Sequence, residues 1–426
     1  MNQISLDAQE MKTFLHHMIT NNRYIQEKGL TPASTEIVGE SGLGKTSISL
    51  QLAKELGIDH VKLNLAQIEE LGDLVGFPVR QFELCKKGTS GDAQQGSPKM
   101  ERVKQADGTF KFQSVAAPAP AGNKCLWIDE NACEEYVRQG YSFTGNKRMS
   151  YCPPEWIADK KNGGILILDD WNRADIRFIQ AVMELVDRQE YISWKLPKDW
   201  HIVLTANPDD GEYLVQAIDV AQRTRFVSTV LKWSSERWAE WAEGNAIDSR
   251  CINFILMHPE IVSAKVNPRS LTTFFNAISS IESFENALPM IQMVGEGSVG
   301  PEAATLFTTF INNRMDKLIS PKDVLLHASH SHVIDSLQEC FNSDNGDFKA
   351  SVASILTTRI INYAIYYSQD HSITPEIIER LTTLVKKKDL FTDDLKYVMV
   401  KRILNGNKQK FQKLVNDPIV QDLATK

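Results

Sequence analysis

The stretch TEIVGESGLGKTSIS contains residues whose types and spacing suit the binding of a phosphate chain. It matches the pattern G-x-x-x-x-G-K-[ST], with one further glycine inside it. Glycines permit the positive φ angles that turn successive backbone N–H groups toward one point, where they complement phosphate oxygens at a helix N-terminus. The predicted phosphate-binding loop consists of Gly39, Glu40, Ser41, Gly42, Leu43, Gly44, Lys45, Thr46 and Ser47.

Two side chains at the end of this loop have separate expected roles. Lys45 would reach the β and γ phosphates of a nucleoside triphosphate, and the hydroxyl of Thr46 would hold Mg²⁺. The context of the loop agrees, because Ile37 and Val38 end an apolar strand and apolar residues follow at helical spacing until Gly57. The pattern therefore predicts a strand, a loop and a helix in that order.

A pair of adjacent carboxylates follows the apolar run GGILIL. A continuous apolar run suits a parallel strand buried on both faces, and open parallel sheets bind ligands at the carboxyl ends of their strands. We predict that Asp169 binds Mg²⁺ and that Asp170 orients or deprotonates an attacking water. The alternative, that both acids only cap the next helix, is weaker because Asp175 supplies a cap. Asp129 in WIDE is a weaker metal candidate, since only a short apolar run precedes it.

Polar residues near the end of the next predicted strand complete the candidate site. An amide at Asn207, in LTANP, could position water beside the γ phosphate. Arg223 and Arg225 follow in AQRTRF, at a domain edge from which they cannot easily reach their own γ phosphate. An arginine supplied by a neighbouring subunit accelerates phosphoryl transfer by about 10³ to 10⁵, so this hypothesis implies an oligomer. The alternative is that these arginines pair with local acids such as Asp219.

Composition limits the class of protein. The chain has 426 residues, so two or three domains are expected, and 42% hydrophobic with 24% charged residues is typical of a globular protein. A net charge of −7 gives no global signature of nucleic-acid binding. With no apolar run long enough for a bilayer and no signal peptide, we expect a cytoplasmic protein without membrane contact. The six cysteines form no C-x-x-C pair, which predicts buried thiols rather than a zinc site or a disulfide framework.

The periodicity of apolar residues divides the chain into four parts. Residues 1–33 contain an amphipathic helix expected to pack on the nucleotide domain, and residues 34–230 form an α/β nucleotide-binding domain. Helical patterns dominate afterwards, with a small lid at 231–300 that ends at the Gly-rich GEGSVG, and a helical C-terminal region at 301–426.

A loop-rich insert at about 80–124 interrupts the nucleotide-binding domain. Its Gly, Pro and Ala content predicts long loops or an exposed hairpin. It carries eight basic and four acidic side chains, a local surplus of four positive charges within an acidic chain. This surplus could contact a substrate such as a nucleic acid, or could belong to a solvated loop; both interpretations remain open.

The order of these parts resembles that of ring-forming AAA+ ATPases, most closely the MoxR-like and dynein-related branch, which includes proteins frequently encoded by bacteriophages. The stretches that carry the resemblance are GESGLGKT, LGDLVGFP, PPEW before GGILILDDWNRAD, LTANP, RTRF and NPRSL. They extend from about Thr31 to Ser280. The resemblance implies an α/β fold, with the parallel-sheet core of a P-loop NTPase (AAA+), a helical lid and an all-α C-terminal region.

The resemblance also implies residue roles and partners. ATP and Mg²⁺ would be bound by Lys45, Thr46 and Asp169, with Asp170 activating water. Asn207 would be the sensor 1 residue and Arg269 the sensor 2 residue, and Arg225, with Arg223 as second candidate, would be the arginine finger. The expected assembly is a homo-oligomer, a hexameric ring, acting as a chaperone on a protein client such as a von Willebrand A-type partner.

One residue departs from the family pattern. The family has Glu where this chain has Asp170, and the missing methylene moves the carboxylate by about an ångström, which can cost about a hundredfold in rate. The leading hypothesis is therefore an Mg²⁺-dependent ATPase (hydrolase) that remodels a protein. The alternatives are a nucleic-acid motor or translocase subunit, suggested by the basic insert, and a nucleotide-gated scaffold with little turnover, suggested by Asp170.

Overall fold

The computed structural model describes residues 4–86, 99–104, 110–115, 124–312, 318–341, 346–387 and 389–425. The strands are β1 Ile4–Leu6, β2 Ser34–Val38, β3 Asp59–Asn64, β4 Phe77–Lys86, β5 Lys99–Lys104, β6 Phe110–Val115, β7 Lys124–Asp129, β8 Ser142–Cys152, β9 Gly164–Asp169, β10 Glu190–Tyr191, β11 Trp194–Lys195, β12 Trp200–Ala206 and β13 Phe226–Leu231.

Helices lie between many of these strands and account for most of the described residues after β13. They are α1 Ala8–Glu27, α2 Lys45–Leu56, α3 Leu71–Val75, α4 Cys133–Arg138, α5 Glu155–Ala158, α6 Ile176–Arg188, α7 Val220–Arg223, α8 Ser235–Gly244, α9 Ser249–Met257, α10 Pro268–Ile278, α11 Leu288–Ser298, α12 Pro301–Asn312, α13 Pro321–Leu326, α14 His330–Cys340, α15 Gly346–Asp370, α16 Pro375–Lys386, α17 Asp393–Gly406, α18 Lys408–Phe411 and α19 Pro418–Thr425. Short 3₁₀ turns lie at Glu130–Ala132, Trp171–Arg173, Pro259–Ile261, Glu285–Ala287 and Gln412–Asn416.

Six strands form one parallel sheet in the order β1-β13-β2-β12-β9-β3. The strand that precedes the phosphate-binding loop, β2, lies inside this sheet between β13 and β12. Every residue of β9 and β12 is buried, as the apolar runs predicted. The edge strand β1 was missed by the sequence analysis, because three residues are too few to show a period of two.

Both faces of the parallel sheet are covered by helices. On one face, α1 and α2 pack through Met11, Leu15 and Ile48 against Ile37 and Ile167, which confirms that the amphipathic N-terminal helix packs on the nucleotide domain. On the other face, α6 packs against the remaining apolar side chains of β9 and β12. Asp175 caps α6 by accepting from the N–H of Arg177, as predicted. The result is a three-layer arrangement of helices around a sheet.

The part of the chain between β3 and β9 forms a second, antiparallel sheet in the order β7-β4-β8. An antiparallel hairpin of β5 and β6 lies within it in sequence, in agreement with the predicted hairpin, but the strands extend to Cys152, well beyond the expected 80–124. Asp129 ends β7 in this second sheet, away from the strand that carries Asp169. The side chains of residues 87–123, which include five of the eight basic side chains of the insert, lie outside the described part, so their partner stays a prediction.

The prediction of buried thiols is wrong for three of the six cysteines. Cys85 of β4 and Cys125 of β7 lie directly opposite each other and form a disulfide, which their 40-residue separation did not suggest. Cys152 is exposed, whereas Cys133 and Cys251 are buried thiols, as expected.

The helices from α8 to α19 share one continuous hydrophobic core. The predicted break at GEGSVG lies at the last two residues of this stretch, since α11 ends at Ser298 and α12 begins at Pro301. Gly295 allows α11 and α12 to approach closely, since a Cβ there would lie 2.7 Å from the Cβ of Ala304. Inside this core Arg359 pairs with Glu243 at 2.8 Å and joins α15 to α8. Removing one partner of such a buried pair typically costs about 3–5 kcal/mol, because the other charge remains uncompensated.

These elements confirm the predicted α/β fold class: a parallel-sheet core with the strand, loop and helix of a P-loop NTPase, followed by helical regions. The boundary between the lid at 231–300 and the region at 301–426 stays a prediction, as do the other domain limits. In the part of the chain that the structure describes, we find no helix of the length and apolar character that crossing a bilayer requires.

Candidate functional site

The loop between β2 and α2 has the backbone geometry of an anion-binding nest. Gly42 and Gly44 take φ angles of 80° and 94°, which L side chains rarely adopt. Gly42 also has no room for a Cβ, which would lie 2.5 Å from Oδ1 of Asn267. Within the described residues no side chain caps α2, so its first N–H groups have no competing carboxylate or hydroxyl. The loop can therefore offer its N–H groups and the helix dipole to phosphate oxygens.

Lys45, the first residue of α2, is buried beneath the loop. Its Nζ donates to the carbonyl oxygens of Gly39 at 2.5 Å and Glu40 at 2.9 Å, and to Oδ1 of Asn207 at 2.9 Å. Burial lowers the pKa of Lys45 to about 8, although the carboxylates of Asp170 and Asp169 act in the opposite direction. A bound anion would raise this lowered pKa again, because a nearby negative charge favours the charged form of the ammonium group.

Asp169, the last residue of β9, is held by three donors. Its Oδ1 accepts from the hydroxyls of Thr46 and Thr205, each at 2.6 Å, and its Oδ2 lies 2.9 Å from Nζ of Lys62. Burial alone would raise the pKa of Asp169, but these hydrogen bonds and the charge of Lys62 outweigh it and lower the pKa. The carboxylate is therefore ionised at neutral pH and lies beside the Thr46 hydroxyl, as a magnesium ligand would.

Asp170 occupies the left-handed region, with φ 52° and ψ 38°, which is uncommon for a residue other than glycine. Its N–H donates to Oγ1 of Thr205 at 3.1 Å, and its Oδ1 accepts from Nδ2 of Asn207 at 3.2 Å. A weaker ion pair of 3.8 Å joins it to Arg173. Strained backbone of this kind is often kept at functional sites, where the surrounding contacts determine it.

The predicted arginines lie at different places around this centre. Arg269 is exposed on the first turn of α10, next to Gly42 of the loop, and its charge contributes to the lowered pKa of Lys45, of which burial is the main cause. Arg223 and Arg225 are exposed before β13. Arg225 lies 4.0 Å from Asp187, while Asp219 caps α7 through the N–H of Gln222. The structure thus brings Lys45, Thr46, both aspartates and Asn207 together, and leaves Arg223 and Arg225 at an exposed edge.

A cavity of about 330 Å³ adjoins the loop on the side of the helical region. It is lined by Gly42, Gly44 and Ser47 of the loop region and by the indole side chains of Trp233, Trp238 and Trp241, among others. Trp233 Nε1 is buried and has no hydrogen-bond partner among the described residues. The size of the cavity and its lining of aromatic side chains and loop residues suit a small planar ligand.

Four side chains of this region were not predicted as site residues: Lys62, Asn172, Thr205 and Tyr213. Lys62 and Thr205 contact Asp169, Asn172 holds the backbone of Asn207, and the hydroxyl of Tyr213 accepts from the N–H of Ser41 in the loop at 3.2 Å. Only Thr205 had a usable signal, since it lies near the end of a predicted strand. The others depend on contacts between segments distant in sequence.

Comparison with known proteins does not establish the family of this chain. No protein-family model and no curated protein matches the chain. Two structures of mutant RuvB from Thermotoga maritima are similar over 87% and 86% of this chain and 93% and 90% of theirs, each with 11% sequence identity. Their TM-scores are 0.33 and 0.31, values too low to support a functional conclusion. The fold assignment rests on the strand order and the loop.

Proposed function

We propose that the protein binds ATP and Mg²⁺ and hydrolyses ATP to ADP and phosphate as a subunit of an AAA+ ring. The observation that carries this proposal is the arrangement of Asn207 between two charged groups. Its amide oxygen accepts from Lys45 at 2.9 Å and its amide nitrogen donates to Asp170 at 3.2 Å. A phosphate-binding cation and a carboxylate that can act on water thus face one point beside the loop.

The residues around Asp169 fit a magnesium ion. Ionised carboxylate and hydroxyl oxygens are the ligands that Mg²⁺ prefers, and Asp169 and Thr46 supply both. When bound, Mg²⁺ would neutralise charge on the phosphates during transfer. Lys62 interacts with Oδ2 of Asp169, so its positive charge lies beside the position where the metal ion would bind. This lysine would compete with the metal.

The chain's own residues account for the remaining chemistry. Lys45 and the N–H groups of the loop would bind the β and γ phosphates and stabilise the charge on them. Asp170 would accept a hydrogen bond from the attacking water, whose oxygen bonds to the γ phosphorus while the bond to the bridging oxygen of ADP breaks. Asn207 would keep Asp170 in place. Because Asp170 is shorter than the glutamate of the family it resembles, slow turnover is expected.

The aromatic cavity next to the loop is the proposed base site. Stacking on Trp233, Trp238 or Trp241 would suit any purine, and adenine is proposed from the family resemblance. The unpartnered Nε1 of Trp233 could donate to a ring nitrogen or a ribose hydroxyl. Trp233→Phe should then weaken ATP binding without changing binding of inorganic triphosphate.

Assembly and client are finer parts of the proposal. The exposed positions of Arg223 and Arg225 support an arginine finger that acts on a neighbouring subunit, and hence a ring. The family resemblance supports six subunits and remodelling of a protein client, such as a von Willebrand A-type partner. A nucleic-acid partner gains no support from the described residues.

Steady-state release of phosphate from ATP tests the proposed function. The wild type should release phosphate only with Mg²⁺, and Lys45→Ala should lose ATP binding because the direct charge on the phosphates is gone. Lys54→Ala, at the other end of α2, is the matched control and should change neither. Tight ATP binding by Lys45→Ala would overturn the phosphate-binding assignment. Tight binding by the wild type without turnover would favour the nucleotide-gated scaffold.

A further inference from the structure

We propose that Asn172 is a positioning residue of the ATPase centre, an inference that rests on the proposed function. Asn172 lies in the 3₁₀ turn directly after Asp170 and is 2% exposed. It belongs to the turn that presents the water-activating carboxylate. Its side chain, however, points to a different strand end.

The side chain of Asn172 holds the main chain of Asn207 from both sides. Nδ2 of Asn172 donates to the carbonyl oxygen of Asn207 at 2.8 Å, and the N–H of Asn207 donates to Oδ1 of Asn172 at 3.1 Å. These two hydrogen bonds run in opposite directions, as between neighbouring strands. Both residues are buried, so loss of the amide would leave a buried donor and a buried acceptor unsatisfied.

The two hydrogen bonds between Asn172 and Asn207, which we call the clamp, fix the position of Asn207. The side chain of Asn207 contacts both charged groups of the centre, Lys45 and Asp170. Asn207 accepts from Lys45 and donates to Asp170. A lysine ammonium can only donate, which assigns the amide oxygen of Asn207 to Lys45 and the amide nitrogen to Asp170. If the main chain of Asn207 shifts, both contacts change together. A displacement of about one ångström in a catalytic centre can cost about a hundredfold in rate.

A third hydrogen bond, made by the main chain of Asn172, connects it to the segment that leads to the exposed arginines. The N–H of Gln216 donates to the carbonyl oxygen of Asn172 at 2.7 Å. Gln216 lies on the connection between β12 and α7, the helix that ends at Arg223. Asn172 therefore joins the turn after β9, the end of β12 and the segment that leads to Arg223 and Arg225.

The chain offers a matched control for this clamp. Nδ2 of Asn22 donates to the carbonyl oxygen of Ala33 at 2.8 Å, and the N–H of Ala33 donates to Oδ1 of Asn22 at 3.1 Å. Asn22 is 3% exposed and ties α1 to the residue before β2. The two asparagines thus make the same pair of main-chain hydrogen bonds at similar burial, one beside the catalytic residues and one remote from the loop. Nδ2 of Asn22 also contacts Nδ1 of His201 at 2.5 Å.

The test compares Asn172→Ala with Asn22→Ala in the full chain. Both should lower Tm, and Asn22→Ala at least as much as Asn172→Ala, because each removes one buried pair of hydrogen bonds and Asn22→Ala also removes the contact with His201. Asn172→Ala should reduce kcat about 10- to 100-fold, while the Kd for a non-hydrolysable ATP analogue stays within about threefold. Asn22→Ala should keep both values. Should Asn172→Ala not fold, Asn172→Asp keeps the volume and the acceptor but not the donor, and should show the same loss of kcat at unchanged Kd.

Two results would overturn this role. One is a wild-type kcat in the folded Asn172 variant, and the other is an equal loss of kcat in Asn22→Ala, which would indicate a purely structural effect. A wild-type protein that releases no phosphate would instead overturn the proposed function, and this role with it. The three results are distinguishable because the wild type and both variants are assayed together.

Discussion

Nζ of Lys45 lies 2.9 Å from Oδ1 of Asn207, although 162 residues separate them in the chain. This hydrogen bond joins the loop after β2 to the end of β12, the strand next to it in the sheet. The ammonium group is thereby held under the loop among oxygens that only accept. Its protonation state is the first property of the site that can be tested.

ATP binding should depend on the protonation of Lys45. Its pKa is lowered to about 8 by burial, and bound phosphate would favour the charged form. Affinity for ATP should therefore be constant below pH 8 and fall about tenfold per pH unit above it, with uptake of a proton on binding. Calorimetry at pH 8.5 in buffers of different ionisation enthalpy measures this uptake. Lys45→Arg should bind without it, and equal proton uptake by that variant would contradict the assignment.

The lowered pKa of Lys45 also predicts how the stability of the nucleotide-free protein changes with pH. Between pH 8 and the ordinary lysine pKa of 10.5 the unfolded chain binds more protons at Lys45 than the folded chain does. The contribution of Lys45 to the free energy of unfolding should therefore rise with pH across this window, and its penalty is fully present below pH 8. In Lys45→Met this contribution should be absent. Chemical denaturation of both proteins at pH 7.5 and pH 9.5 measures the difference.

The sequence could place Lys45, Asp169 and Asn207 near one another because strongly patterned elements carry them, while their chemical roles stay predictions. Asp169 ends the buried strand β9, Asn207 directly follows the buried strand β12, and Lys45 comes after β2 and the loop. The carboxyl ends of parallel strands meet at one edge of the sheet. Asn172 and Lys62 could not be predicted in the same way, since an asparagine in a turn or a lysine in a strand is ordinary. Only the fold shows which distant group each of them contacts.

Elements outside the patterned core were predicted less well for a similar reason. Cys85 and Cys125 are paired by the register of β4 and β7, which their spacing does not show. The glycines of GEGSVG suggest a break along the whole stretch, yet Gly295 lies inside α11, where it permits a close contact with α12, and the break comes only at Val299 and Gly300. In both cases the tertiary contact, rather than the local sequence preference, decides the structure.

Asp170 should limit the rate of hydrolysis because of its length. Asp170→Asn should bind ATP and stall, since an amide cannot accept the proton of the attacking water. Asp170→Glu should keep or raise turnover at unchanged ATP affinity, because the longer side chain moves the carboxylate toward the phosphate. Single-turnover hydrolysis of radiolabelled ATP measures both. Hydrolysis by Asp170→Asn at the wild-type rate would show that another group activates the water.

Lys62 should weaken the binding of magnesium. Its ammonium group lies 2.9 Å from Oδ2 of Asp169 and is partly exposed, so its effect on a nearby cation is about 1 kcal/mol or less. Lys62→Met should therefore lower the Mg²⁺ concentration for half-maximal ATPase activity by up to about fivefold. The matched control is Lys12→Met, whose ion pair with Glu55 lies on α1 and α2. An unchanged or higher Mg²⁺ requirement in Lys62→Met would remove the competition from the proposed mechanism.

Arg225 should act on the nucleotide of a neighbouring subunit. It is exposed before β13, and its ion pair with Asp187 has a distance of 4.0 Å between partly exposed side chains. Such a pair contributes too little to stability to make Arg225 necessary for folding. Arg225→Ala should therefore bind ATP normally and lose turnover by about 10³ or more. Arg223→Ala serves as the comparison, because it changes the second candidate two residues away.

Mixing two inactive variants separates a finger that acts in trans from one that acts in cis. In rings that contain both Arg225→Ala and Lys45→Ala subunits, some interfaces combine an intact Arg225 with an intact loop on the neighbour. Partial recovery of phosphate release on mixing is expected, with a yield that depends on the ratio of the two proteins. If the two variants co-assemble, as shown by light scattering and pull-down of a tagged subunit, and still release no phosphate, then Arg225 acts within its own subunit or only structurally. The position of this arginine would then no longer support a ring.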